Sequence, residues 1–117
     1  MSNKYTSDSK KQFEGKVVII TGSTQGSGAE TAKLFAARGA KAITICGRQE
    51  NKGIQIKKEI EELGSKCLYV KADLSKVEDC KKIVALTDKE FGTVHSLVNV
   101  AGHTERGTIL SATLENY

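Results

Sequence analysis

Lys16-Val17-Val18-Ile19-Ile20-Thr21-Gly22-Ser23-Thr24-Gln25-Gly26-Ser27-Gly28 passes from an apolar β-branched run into a glycine-rich turn. A helical pattern follows. Val17 to Thr21 reads as an extended strand. Gly22 permits a tight turn, Gly26 lets backbone approach a phosphate without a Cβ, and Gly28 lets the next helix lie close to the sheet. The N-terminus of that helix offers unpaired N–H groups and about half a positive charge to an anion. The layout suits a loop that wraps a dinucleotide pyrophosphate.

Working outward, strands and helices alternate. Ser27 to Arg38 carries Ala29, Ala32, Phe35 and Ala36 near helical spacing, with Gly39 as its stop. Ala42 to Cys46 reads as the second strand. Asn51 to Leu63 reads as the second helix, with an Ile56, Ile60 and Leu63 stripe ended by Gly64. Cys67 to Lys71 is the third strand. Ser75 to Phe91 is the third helix, opened by the capping-box pattern Ser75-Lys76-Val77-Glu78 and buried through Val77, Cys80, Ile83, Val84 and Thr87. Leu97 to Val100 is the fourth strand. Such alternation means βαβ units, and the apolar strands mean a parallel sheet covered on both faces. Right-handed crossovers make it an α/β doubly wound sheet of the Rossmann kind, with strand order 3-2-1-4 and its switch point between strands one and four. Ligand belongs over the C-terminal strand ends, where Gly22 to Gly28, Arg48, Asp73 and Asn99 to Gly102 all fall.

The spacing Gly-x3-Gly-x-Gly after Thr21 resembles the fingerprint of the short-chain dehydrogenase/reductase family. The resemblance runs from about Phe13 to Tyr117. Lys16 to Gly28 is similar to the family's first strand and cofactor loop, Ala72-Asp73-Leu74 to its adenine-contacting segment, and Leu97-Val98-Asn99-Val100-Ala101-Gly102 to its Asn-Asn-Ala-Gly motif. The resemblance implies hydride transfer between a nicotinamide cofactor and a carbonyl or alcohol substrate. It implies a cofactor site of Gly22, Ser23, Thr24, Gln25, Gly26, Ser27, Gly28, Arg48, Asp73, Leu74, Asn99, Ala101 and Gly102. In this family Asp73 would accept from the adenine amino group, with Leu74 packed nearby. Asn99 would brace the central sheet, and Ala101-Gly102 would let backbone pass the nicotinamide ribose. Val100 replaces the motif's second Asn, and Ser27 stands where relatives usually have Ile or Leu.

Gly47-Arg48 lies about 20 residues past the glycine loop, where dinucleotide folds separate NAD from NADP. Relatives that prefer NAD often have Asp at the position of Gly47, whereas Arg48 can fork onto a 2′-phosphate. NADP is therefore expected, with NAD the second choice; Gln25 tells the other way, since NADP-preferring relatives often have a basic residue there. Plainer roles stay open: Arg48 as a solvated loop cation, and Asp73 as the start of the next helix cap alongside Ser75. His103, Glu105 and Arg106 read as a polar loop and His95 as a turn residue.

The family's catalytic Ser, Tyr-x3-Lys pair and upstream Asn find no counterpart: no Lys stands four places after Tyr5, Tyr69 or Tyr117. No catalytic residue is assigned. The expectation is the N-terminal half of a longer enzyme, lacking a fifth strand and inactive alone, with a bare edge on its fourth strand. In full length it would be a homo-oligomer acting on a small molecule. The alternatives are a non-catalytic short product that binds nucleotide or a partner, and an unrelated phosphate-binding α/β module.

The 117 residues suit one small domain, residues 13–117, behind a polar flexible tail at 1–12. Eighteen basic and 14 acidic side chains give a net charge of +4, but the lysines are scattered or in short pairs beside Glu, which argues against nucleic acid. Cys46, Cys67 and Cys80 form no CxxC and read as small buried hydrophobes in a reducing compartment. No metal site, membrane span or signal peptide is evident, and a cytoplasmic protein is expected.

Overall fold

A computed structural model describes residues 12–22 and 26–100. Its elements are β1 (Val17–Thr21), α1 (Gly26–Ala37), β2 (Ala42–Gly47), α2 (Glu50–Glu62), β3 (Lys66–Lys71), α3 (Val77–Phe91) and β4 (Ser96–Asn99). The strands form one sheet in the order β3-β2-β1-β4. All three pairings are parallel; β1 is bonded to β2 from Val17↔Ala42 and to β4 from Val18↔Ser96. This is the doubly wound Rossmann arrangement that the alternation predicts.

Side-chain alternation along the strands divides the core between the two sheet faces. Val18, Ile20, Ile43 and Ile45 pack with Ala29, Ala32 and Ala36 of α1 and Ile56 and Ile60 of α2. Ile19, Cys46 and Val70 pack with Cys80, Ile83 and Val84 of α3. The alanine stripe brings α1 close to the sheet, because no long side chain holds it away. On the α3 face Thr87 Oγ1 lies 2.7 Å from the Ile83 carbonyl and 2.8 Å from Thr44 Oγ1. Thr87 has one proton and the carbonyl can only accept, so Thr44 supplies the proton between the hydroxyls. All three cysteines are free and buried, as their apolar neighbours suggest.

Several local readings need correction. The Ser75–Glu78 capping box does not form. Lys76 is the N-cap of α3 and makes no side-chain cap. Ser75 turns back instead, its N–H and hydroxyl both donating to Asp73 Oδ1 at 2.9 and 2.7 Å. The Asp73 carboxylate takes the Ser75 N–H that Glu78 would accept in a capping box, and its second bond draws the hydroxyl back from the helix. Val77 is 46% exposed and Leu63 37%, although both sit at helical spacing from buried neighbours. Val77 is the first residue of α3 and Leu63 the C-cap of α2, so the stripe runs out at the ends of both helices. Gly92 ends α3 at φ 82°, the left-handed cap that glycine adopts without strain. His95 does more than turn the chain: its N–H donates to the Val17 carbonyl and its Nδ1 accepts from the Val17 N–H, both at 2.9 Å.

α1 and α2 are tied by Lys33 Nζ to Glu59 at 2.5 Å, and Gln55 Nε2 donates to the other Glu59 oxygen at 3.1 Å. The bond from Lys33, then that from Gln55, hold the Glu59 carboxyl below the ordinary carboxylate range. A folded-state pKa below the unfolded one adds stability at neutral pH, which is lost as pH falls through that range. A Lys33→Met variant is expected to be less stable than the parent at neutral pH by at most about 1 kcal/mol. Urea denaturation at a series of pH values should show this gap closing towards acid; a gap independent of pH would mean that the pair's charge is not what Lys33 contributes.

Gly53 of α2 is buried against the Tyr69 ring of β3, and a Cβ built on it would lie inside that ring's contact distance. On helix propensity alone Gly53→Ala would stabilise by about 0.5–1 kcal/mol. Here the ring must move, and we expect a net loss of about 1–2 kcal/mol instead. Chemical denaturation decides between the two signs.

Candidate functional site

Four parallel strands bring four strand ends to one edge of the sheet. β1 gives way to Gly22, β2 to Arg48, β3 to Ala72-Asp73-Leu74, and β4 closes on Asn99. The chain winds from β1 through β2 to β3, then crosses to the other side of β1 for β4, so the switch point lies between β1 and β4, where crevices form in such sheets.

Gly22 has φ 66°, a backbone shape that turns the chain out of the sheet directly after β1 and that other residues rarely take. Beneath it lies Cys46. Burial pushes the Cys46 thiol up to about 12, while the Gly22 backbone N–H beside it pulls weakly the other way. The thiol is neutral and serves as a spacer under the turn. α1 starts at Gly26, has no acidic side chain in its first turn, and buries Gly28 there. Its positive end is therefore not neutralised from within that turn. Thr21, 1% exposed, donates its hydroxyl to Asn99 Oδ1 at 2.8 Å, and the Val100 N–H reaches the Thr21 carbonyl at 3.4 Å. This polar clasp holds the two strand ends that border the switch point.

Arg48 is exposed. The Asp73 carboxyl is held below its ordinary range, first by the Ser75 hydroxyl, then by the Ser75 N–H, and further by the cations of Arg48 and Lys76. Arg48 and Asp73 thus share one electrostatic neighbourhood. The Asp73 N–H donates to Asp79 Oδ2 at 2.7 Å, so the first turn of α3 reaches back to fix this backbone. Leu74 is half-buried against the α3-side core. Sequence reasoning missed Asp79, whose signal is an acid in the first turn of α3. It also missed Tyr69, whose hydroxyl donates to the Gly47 carbonyl at 2.8 Å. Burial, then the Glu50 carboxylate, raises the Tyr69 phenol, which keeps it a donor.

Ser23, Thr24, Gln25, Ala101, Gly102, His103, Glu105 and Arg106 lie outside the described residues, as does the side chain of Ser27. Among the described residues no group of three or more His, Cys, Asp or Glu could hold a metal, and no helix is long and apolar enough to cross a membrane.

The family model described as short chain dehydrogenase matches residues 16–117. The chain belongs to this family. It is 42% identical over 89 residues to 11-beta-hydroxysteroid dehydrogenase A of Sesamum indicum, covering 75% of this chain and 25% of that protein. It is 37% identical over 93 residues to (+)-cis,trans-nepetalactol synthase NEPS1 of Nepeta racemosa, covering 80% of this chain and 33% of that protein. Among solved structures it is similar to an NADH-dependent reductase complexed with NAD, with TM-score 0.72 and 27% identity over 80% of this chain and 39% of that one. The chain thus spans a quarter to a third of the length of these two curated relatives.

Thr21→Val keeps the shape of the buried side chain and removes only the hydroxyl. It is expected to cost about 0.5–1.5 kcal/mol, because Asn99 loses its donor and β4 its clasp. Urea denaturation measures the loss, and a variant as stable as the parent would show that the clasp adds nothing.

Proposed function

We propose that this chain forms the cofactor-binding part of an oxidoreductase that uses NADP(H) to interconvert a small carbonyl compound and its alcohol. The observation that carries this reading is the gathering of Gly22, Arg48, Asp73 and Asn99 at one sheet edge, beside a helix N-terminus without acidic side chains in its first turn. The described residues suit the group. The turn at Gly22 and the start of α1 would face the pyrophosphate, with Gly26 leaving room for backbone approach and Gly28 letting the helix lie close to the sheet. Asp73 would take the adenine amino group on Oδ2, since Ser75 already uses Oδ1. When bound, NADP(H) supplies or accepts the hydride.

Choice of NADP over NAD rests on Gly47 and Arg48. An acid at the end of β2 would bond the ribose 2′-OH and repel a 2′-phosphate; this chain has glycine there and an exposed guanidinium next to it. Arg48→Ala is expected to weaken NADP(H) by about 1.5–3 kcal/mol, the worth of one charge-assisted contact, and to leave NAD(H) nearly unchanged. Calorimetric titration with both cofactors tests this, and equal losses would remove Arg48 from 2′-phosphate recognition.

A further inference from the structure

Tyr69 touches the segment that carries Arg48 at both of its ends. At the start, the Tyr69 hydroxyl donates to the Gly47 carbonyl at 2.8 Å. The Ala72 N–H donates to the same oxygen at 3.0 Å. Two donors therefore fix the peptide plane from which Arg48 departs. The β2–β3 ladder has its last pair at Gly47↔Lys71, so beyond this plane the sheet no longer holds the chain. Gln49 is extended, with φ −104° and ψ 101°, and makes no side-chain cap on α2. At the far end, Gly53 of α2 lies against the Tyr69 ring so closely that no Cβ fits between them. The Gly53 N–H donates back to the Gln49 carbonyl at 3.1 Å, which ties the helix start to the turn. One side chain thus spans the connection, with its hydroxyl on residue 47 and its ring on residue 53.

We infer that Tyr69 is a positioning residue for cofactor discrimination, holding the turn from Gly47 to Gly53 so that Arg48 is set to meet the 2′-phosphate of NADP(H). This rests on the reading of Arg48 given above. Tyr69 acts without touching the cofactor, through the direction in which Arg48 leaves the sheet. A guanidinium on an untethered turn would still be attracted to a phosphate. It would lose the fixed geometry that makes a two-pronged contact stronger than a point charge. NAD(H) has no 2′-phosphate, so its affinity should not depend on that geometry.

The test is calorimetric titration of NADPH and NADH into the parent protein, Tyr69→Phe, Arg48→Ala and the double variant. Tyr69→Phe keeps the ring and deletes the hydroxyl. It is expected to raise the NADPH Kd about three- to tenfold, the range of one neutral hydrogen bond, with the NADH Kd changed less than about twofold. The double variant should bind NADPH no more weakly than Arg48→Ala, because Tyr69 acts only through Arg48. Losses in Tyr69→Phe that are equal for both cofactors, or that add fully to those of Arg48→Ala, would overturn the inference and leave Tyr69 a packing residue. Separation of the cofactors by Arg48→Ala but not by Tyr69→Phe sinks the inference alone. Failure of Arg48→Ala to separate them sinks the reading of Arg48 and the inference with it. Should Tyr69→Phe be too unstable to titrate, Gly53→Ala replaces it. That change displaces the ring from the other end and must shift the NADPH-to-NADH ratio in the same direction for the inference to stand.

Discussion

The whole arrangement hangs on one strand that is enclosed on every side. All five residues of β1 are buried, and the strand is bonded to β2 on one edge and β4 on the other. Backbone polar groups shut away from water must be paired, and the two ladders pair them. Side chains alternate between the face under α1 and α2 and the face under α3, so the apolar run satisfies both layers at once. Because β1 is central and every pairing is parallel, the exit of each strand is carried to the same edge. The polar residues at those exits meet because the core is built this way. None of them needs a loop of its own to reach the others.

This explains which parts of the molecule could be read from the residues. The strands are legible because a β-branched run such as Val17 to Thr21 has few alternatives, and parallel pairing follows from the alternation with helices. Placement of Gly22, Arg48, Asp73 and Asn99 at one edge comes from that parallel pairing. Helix ends are less legible, since they are settled by competition among nearby polar groups. Ser75 and Glu78 have the spacing of a cap, yet the Asp73 carboxylate accepts from both the N–H and the hydroxyl of Ser75. Val77 and Leu63 have the right period and the wrong position, one residue at each helix boundary. The contact between Tyr69 and Gly53 left no pattern to read: a glycine inside a helix marks a close neighbour without saying which one.

At Asp73 a structural role leaves room for the ligand role proposed for it. Its Oδ1 takes both bonds from Ser75, and its N–H is held by Asp79. This ordering of the turn before α3 is a structural role, although it caps no N–H of the helix. It does not compete with ligand recognition, because it fixes the carboxylate and leaves the second oxygen for an outside donor. Preorganisation of this kind lowers the entropy lost when a ligand arrives.

The three buried cysteines give the fold a built-in clock. The thiols of Cys46 and Cys67 are pushed to about 12 by burial, and that of Cys80 is raised for the same reason. Only the thiolate attacks an alkylating reagent, so in the closed fold these sulfurs are both shielded and chemically quiet. Any labelling must wait for the chain to open around each one. Cys67 belongs to the layer under α1 and α2, whereas Cys46, beneath the glycine turn, and Cys80 share the layer under α3. Site-by-site alkylation rates would therefore time the opening of the two sheet faces separately, Cys67 for one and Cys46 with Cys80 for the other, without a single engineered probe.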